Sequence, residues 1–179
     1  MNKFFKTCDI ENIDMTEIDD SSFGESLLTC AAKTKFNCEL IDKQINCKAI
    51  VSYVPTKTTM EQCEDIVEIL HTKIELIRLY RTFIKWYKGL ADRQKKLYIA
   101  YFVKKDYELC RQITHNGHYH RRYIVPMSRD FVSYITVKSK LDENDLIRNP
   151  FIYDSYSHIL DRKELRRLKA TKKLEEKLP

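Results

Sequence analysis

Only three glycines occur in the chain, Gly24, Gly89 and Gly117, and that scarcity removes whole function classes. Neither G-x-G-x-x-G nor G-x-x-x-x-G-K-[ST] can be written, so no glycine-rich loop is present to cradle a nucleotide phosphate. Tight hairpin turns also favour glycine, which argues against an all-β fold. Four prolines leave long stretches free to run as helix. The apolar run around 98–103 is far shorter than the roughly 18 residues of a membrane span. Lys3 and Lys6 are followed by Asp9, Glu11 and Asp14, where a signal peptide would be apolar. The expectation is a cytoplasmic protein with no membrane partner. The six cysteines (Cys8, Cys30, Cys38, Cys47, Cys63, Cys110) include no C-x-x-C pair, which zinc ribbons and thioredoxin-like sites need. They read as small apolar side chains in a reducing compartment.

What is present is a globular composition: 179 residues, 43% apolar and 32% charged, enough to build a core without staples. The net charge of +6 is mild, but it is unevenly spread. Residues 1–80 carry 9 Lys/Arg against 14 Asp/Glu, and residues 81–129 carry 12 against 3. Three of the five histidines fall in that same basic stretch. A block of one sign in the middle of a chain points to a surface for a polyanion.

The pattern predicts a mainly α fold, a helical bundle with a long central helix and a helix-turn-helix unit. One short strand or hairpin is expected near 36–54, because Ile45, Cys47, Ala49, Val51 and Tyr53 alternate. Asn37–Ile41 is its candidate partner. Three regions are expected: an acidic N-terminal region 1–57, a helical domain 58–136 with the helix-turn-helix, and an arm with a basic C-terminal helix over 137–179. Glu25 to Lys33 reads as a short helix with Leu27, Leu28 and Ala31 inward. Thr58 and Glu61 form a capping box for a helix over 59–88. Its apolar positions Met60, Cys63, Val67, Leu70, Ile74 and Ile77 step by three and four, which predicts an inner face. A helix of that length also suggests packing along another helix or another subunit.

After Gly89 a second helix is expected from Ala91, with Leu97, Ala100 and Tyr101 inward. Asp106 should cap a third over Tyr107–Ile113, with Leu109, Cys110 and Ile113 buried. Asn116-Gly117 marks a turn. A fourth helix then starts at Asn116 or His118, and Pro126 should end or kink it. Ser128 can recap a segment carrying Phe131, Val132 and Ile135. Residues 138–156 read as a connecting arm, and Asp161 with Glu164 as the cap of a terminal helix over 162–178.

A supporting helix, a short turn and a donor-rich helix are the parts of a helix-turn-helix, whose second helix enters the major groove. Arginine reads guanine bidentately, and histidine, tyrosine and arginine all reach phosphate. The donor-rich helix presents His118, Tyr119, His120, Arg121 and Arg122. Lys95, Lys96, Lys104, Lys105 and Arg111 are the candidate phosphate contacts.

The stretch from Ala49 to Ile135 resembles the phage ArpU-type transcriptional regulators, a family related in design to region 4 of bacterial sigma factors. The residues that carry the resemblance are TMEQCEDIVEILHTKIELIRLYRTFIKWYKGL, LADRQKKLYIAYFVKKD and YELCRQITHNGHYHRRY. The chain departs from the family pattern at Thr114 and His115, where the turn usually has glycine and an apolar residue. The resemblance implies sequence-specific binding of double-stranded DNA in transcription regulation, with Asn116, His118, Tyr119, Arg121 and Arg122 as the candidate base-reading residues and RNA polymerase or another protein as a further partner.

Other chemistries have weaker support. Cys110, His115, His118 and His120 are the one metal-like grouping, and their spacings of five, three and two do not match paired zinc ligands. No metal or cofactor is expected. Glu61, Glu64, Asp65 and Glu68 read as a solvated helix face, and neither G-x-S-x-G nor H-E-x-x-H occurs. The expectation is a non-enzyme. The alternative is a non-catalytic helical interaction or assembly protein, such as a small DNA-packaging subunit, with the 59–88 helix as the route to a homo-oligomer.

Overall fold

With no proline between Pro55 and Pro126 and glycine nearly absent, little interrupts a helix once it has nucleated. The computed structural model describes residues 18–51, 59–139 and 141–175. Among them the fold is all helical, with no strand. The α-helices are α1 (Asp20–Val51), α2 (Thr59–Gly89), α3 (Asp92–Tyr98), α4 (Tyr107–Thr114), α5 (Val125–Lys138), α6 (Glu143–Arg148) and α7 (Pro150–Glu175). Two π-helical segments extend them: Ile99–Lys104 continues α3, and His120–Ile124 leads directly into α5.

Helix α1 is the centre of the bundle and packs against α2, α5 and α7. Asp19 starts it, accepting hydrogen bonds from the Ser21 amide at 3.3 Å and the Ser22 hydroxyl at 2.6 Å. Lys163 of α7 bridges to the same carboxylate. Partial burial alone would raise the Asp19 carboxyl, but the hydrogen bonds from Lys163, Ser22 and Ser21 hold it well below the usual carboxylate range. Phe23, Leu27, Leu28 and Ile41 face inward along α1 and are almost fully buried.

The expected strand at 45–53 is not formed. Residues 45–51 continue α1, as do the supposed partner residues 37–41, and Tyr53 lies outside the described residues. The short helix expected at 25–33 is likewise one part of a 32-residue helix, with Leu27, Leu28 and Ala31 buried as anticipated.

Helix α2 forms over the expected range, but its inner face differs from the expected one. The buried side chains include Ile69, Thr72, Glu75, Leu76, Leu79, Phe83 and Trp86, while Val67, Leu70 and Ile74 are exposed. The capping box at Thr58 and the side chains of Met60 and Cys63 lie outside the described residues. Aromatic rings dominate the inner seam. Phe83 lies 4.8 Å from Tyr98 between ring centroids, and Trp86 lies 4.8 Å from Phe131. The Trp86 indole N–H donates to Asp130 at 2.7 Å, which fixes α2 to α5 at a polar edge of the cluster.

Residues 138–156 are not a loose arm. They close the core with Leu146, Ile147, Ile152 and Tyr156, all buried. Asn149, at the α6–α7 corner, donates to the Thr72 carbonyl at 3.1 Å and to the Glu75 carboxylate at 3.0 Å. Helix α7 begins at Pro150 and runs unbroken past Asp161 and Glu164, so no helix starts at 162. Pro150 suits a first helical position because its missing amide would have no partner there.

Helices α1 and α5 cross closely at Gly24. A Cβ placed on Gly24 would lie 2.3 Å from the Ser128 carbonyl oxygen and 2.7 Å from its carbon. Backbone cannot retract as a flexible side chain does. Gly24→Ala should therefore cost about 3 kcal/mol, the upper end for overpacking. In thermal unfolding followed by circular dichroism, that corresponds to a Tm drop on the order of 10 °C for a chain of this size. An unchanged Tm would mean the two helices do not cross this closely.

Candidate nucleic-acid interface and adjoining cleft

The residues predicted to form a helix-turn-helix fold as three connected helices, but with altered joints. Asp106 caps α4, its carboxylate accepting from the Leu109 amide at 2.9 Å, as the sequence predicts. Cys110 is fully buried. The turn that follows takes its left-handed residue at His115 (φ 52°), whereas Gly117 has no positive φ. Asn116 instead uses its side chain, which accepts from the His118 amide at 2.8 Å in an Asx turn. The donor-rich helix then begins at Tyr119 and continues to Lys138 without a break at Pro126. The π turn at His120–Ile124 immediately precedes that proline. Widening the helix there removes the close approach of the ring to the carbonyl four residues back.

Arg93 fastens these parts together. Its guanidinium donates to the Ile113 carbonyl at 3.1 Å and the Thr114 carbonyl at 3.0 Å. It also lies 5.5 Å from the ring centroid of Tyr123. One planar cation thus satisfies the last carbonyls of α4, complements its dipole and stacks on the next helix.

The candidate base-reading residues divide by exposure. His118, Arg121 and Arg122 are exposed at the head of the helix, while Asn116 and Tyr119 are half-buried. Tyr119 turns toward the interior, with its ring 6.3 Å from that of Tyr101. Among the phosphate candidates, Lys96, Lys104, Lys105 and Arg111 are exposed and Lys95 is intermediate. Lys95 lies 3.9 Å from Asp92, and Arg111 lies 3.1 Å from Glu108. Both pairs are in water and weak.

His120, between the exposed groups, turns inward. Its Nε2 lies 3.1 Å from one carboxylate oxygen of Glu25, and the Tyr101 hydroxyl donates to the other at 2.8 Å. Each π segment therefore supplies one partner to a carboxylate of α1 that is 7% exposed. Burial would raise the Glu25 carboxyl, but the hydrogen bond and charge of His120 and the Tyr101 hydrogen bond outweigh it and set it below its ordinary value. Burial together with the Glu25 charge pushes the Tyr101 phenol well above its ordinary value.

Glu25 and Tyr101 form the wall of a cleft of about 250 Å³ that the sequence does not reveal. Lys33 of α1, Lys105 and Arg162 of α7 also line it. Lys105 is a non-glycine residue in the left-handed region, at φ 58°. Its ammonium lies 5.9 Å from the Tyr101 centroid and 6.0 Å from that of Phe102. Partial burial lowers it, and the charges of Lys33 and Arg162 lower it further. Cys30 also faces the cleft, where its thiol donates to the Phe151 carbonyl at 3.2 Å. Burial pushes that thiol up to about 12, so it is held protonated. Among the described residues, no three His, Cys, Asp or Glu side chains are grouped to hold a metal ion. No described helix is long and apolar enough to cross a membrane.

The Glu25 clasp has a pH signature. Its folded-state value lies below the ordinary 4.5, so its contribution is complete above that value and is lost as pH falls through the lower folded one. Glu25→Gln should cost about 2 kcal/mol at pH 7, as expected for hydrogen bonds to a buried charge. The Tm difference between the native chain and this variant should narrow as pH falls from 5 to 3. A difference constant over that range would mean the fold does not hold the Glu25 carboxyl below its ordinary value.

No family model matches the chain, and neither a curated protein nor a solved structure matches it.

Proposed function

We propose that the chain binds double-stranded DNA sequence-specifically through the helix that begins at Tyr119, in the manner of the phage-type transcriptional regulators its sequence resembles. The observation that carries this reading is the exposure of Arg121 and Arg122 at the head of that helix, beside His118. They lie within a stretch carrying 12 basic and 3 acidic residues. The Arg93 strap from α3 to the end of α4 and to Tyr123 supports it, because base readout needs a recognition helix held in a fixed pose. In this reading His118, Arg121 and Arg122 face base edges. Lys96, Lys104, Lys105 and Arg111 hold the phosphate backbone, and Asn116 and Tyr119 shape the turn. The role is regulatory and non-catalytic, exercised in the cytoplasm, with RNA polymerase or another protein as a further partner.

Fluorescence anisotropy of a labelled mixed-sequence duplex, titrated at several salt concentrations, tests the polyanion surface. Affinity should fall linearly in a log–log plot, by about 0.9 in slope for each phosphate neutralised. Lys96→Ala should weaken binding to every duplex and reduce that slope by about 1. On a site obtained by selection, Arg121→Ala or Arg122→Ala should cost about 1–3 kcal/mol, and much less on mixed sequence. The DNA reading fails if no duplex binds at low salt. The assignment of base-reading residues fails if the arginine variants lose no more affinity than Glu39→Ala.

A further inference from the structure

Helix α2 is apolar on two sides, and only one of them is packed into the core among the described residues. Ile69, Leu76, Leu79 and Phe83 are buried. At about 100° per residue, Val67, Leu70, Ile74 and Ile77 lie on the nearly opposite side. Val67 is 64% exposed, Leu70 42% and Ile74 46%. Their steps of three, four and three are the heptad spacing of a coiled-coil seam, and the sequence continues it back through Cys63 and Met60. An apolar seam at this repeat, in water, on the outer side of a 31-residue helix, fits a second helix rather than an irregular surface.

The charge along α2 selects that helix. The first half carries Glu61, Glu64, Asp65 and Glu68, and the second carries Arg78, Arg81, Lys85 and Lys88. A parallel copy would lay acid on acid and base on base. An antiparallel copy lays each half on its opposite. Glu64 and Arg78 are both exposed, and neither is ion-paired among the described residues. Opposing Glu64 to Arg78 of the second copy centres the pair at His71, close to the middle of the 67–77 seam. The lysine nearest that centre, Lys73, is already neutralised by Asp42 of α1.

We infer that α2 is the interface of a two-fold homodimer, in which the outer seams of two copies pack antiparallel. The contact is isologous and closes on itself. It does not depend on the DNA reading, and its test uses no nucleic acid.

The test is sedimentation equilibrium of the full chain over the micromolar range. The native chain should approach twice its 21.4 kDa mass. The double variant Leu70→Glu/Ile74→Glu should sediment at the single-chain mass. Its helical circular dichroism should be unchanged, because both side chains lie outside the core. Arg78→Glu alone should weaken dimerisation several-fold, and Glu64→Arg added to it should restore the native dissociation constant. A native chain at single-chain mass across the range overturns the inference. So does a larger assembly that persists in the Leu70→Glu/Ile74→Glu variant. Tighter association of the Arg78→Glu single variant overturns the antiparallel arrangement.

Discussion

The arrangement depends on how closely α1 and α5 cross. With Gly24 against the Ser128 carbonyl, the two helices meet backbone to backbone, and small displacements along either axis meet hard repulsion rather than a compliant side chain. That contact sets more than the core. Glu25 follows Gly24 directly, and His120 lies two helical turns before Ser128 on the same continuous helix. The close crossing therefore fixes the separation at which the carboxylate and the imidazole meet. The head of the 119–138 helix, with its exposed arginines, is located by a glycine nearly a hundred residues earlier in the chain.

Much of the architecture was legible in the sequence. The range of α2, the Asp106 cap and the inward set Leu97, Ala100 and Tyr101 follow from local spacing and capping, which act over one or two turns. The misreadings have identifiable physical sources. Ile45 and Ala49, and Cys47 and Val51, alternate as a strand would, but each pair is also one helical turn apart. The long uninterrupted α1 decides between the two. On α2 the steps of three and four pick out the seam Met60 to Ile77, but Val67, Leu70 and Ile74 on it are exposed and the core takes the other side. That choice is made by the bulkier aromatic side, which has Tyr98 and Phe131 to pack against. Thr72, Glu75 and Asn149 are buried with polar partners, so composition alone would place them outside. Pro126 reads as a terminator only if the preceding turn is α-helical, and here it is a π turn.

The candidate site was legible in one respect and hidden in another. Charge counting isolates the 81–129 stretch, because its bias is contained in consecutive residues. It does not show that Lys33 and Arg162, from the two ends of the described chain, join Lys105 around one cleft. Nor does any local pattern mark Glu25 as the shared acceptor of Tyr101 and His120, which stand 76 and 95 residues away. A lone glutamate on the apolar side of a predicted helix, next to a glycine, is the sole local sign.

The Arg93 guanidinium has a consequence for recognition thermodynamics. By joining the end of α4 to the start of α3 and to Tyr123, it removes hinge freedom between three short helices that would otherwise be set only by a turn. A surface assembled this way loses little conformational entropy when it engages a partner, so more of each contact made there is retained as affinity. The same rigidity narrows the range of shapes the surface accepts. Discrimination between partners then comes from misfit as well as from attraction.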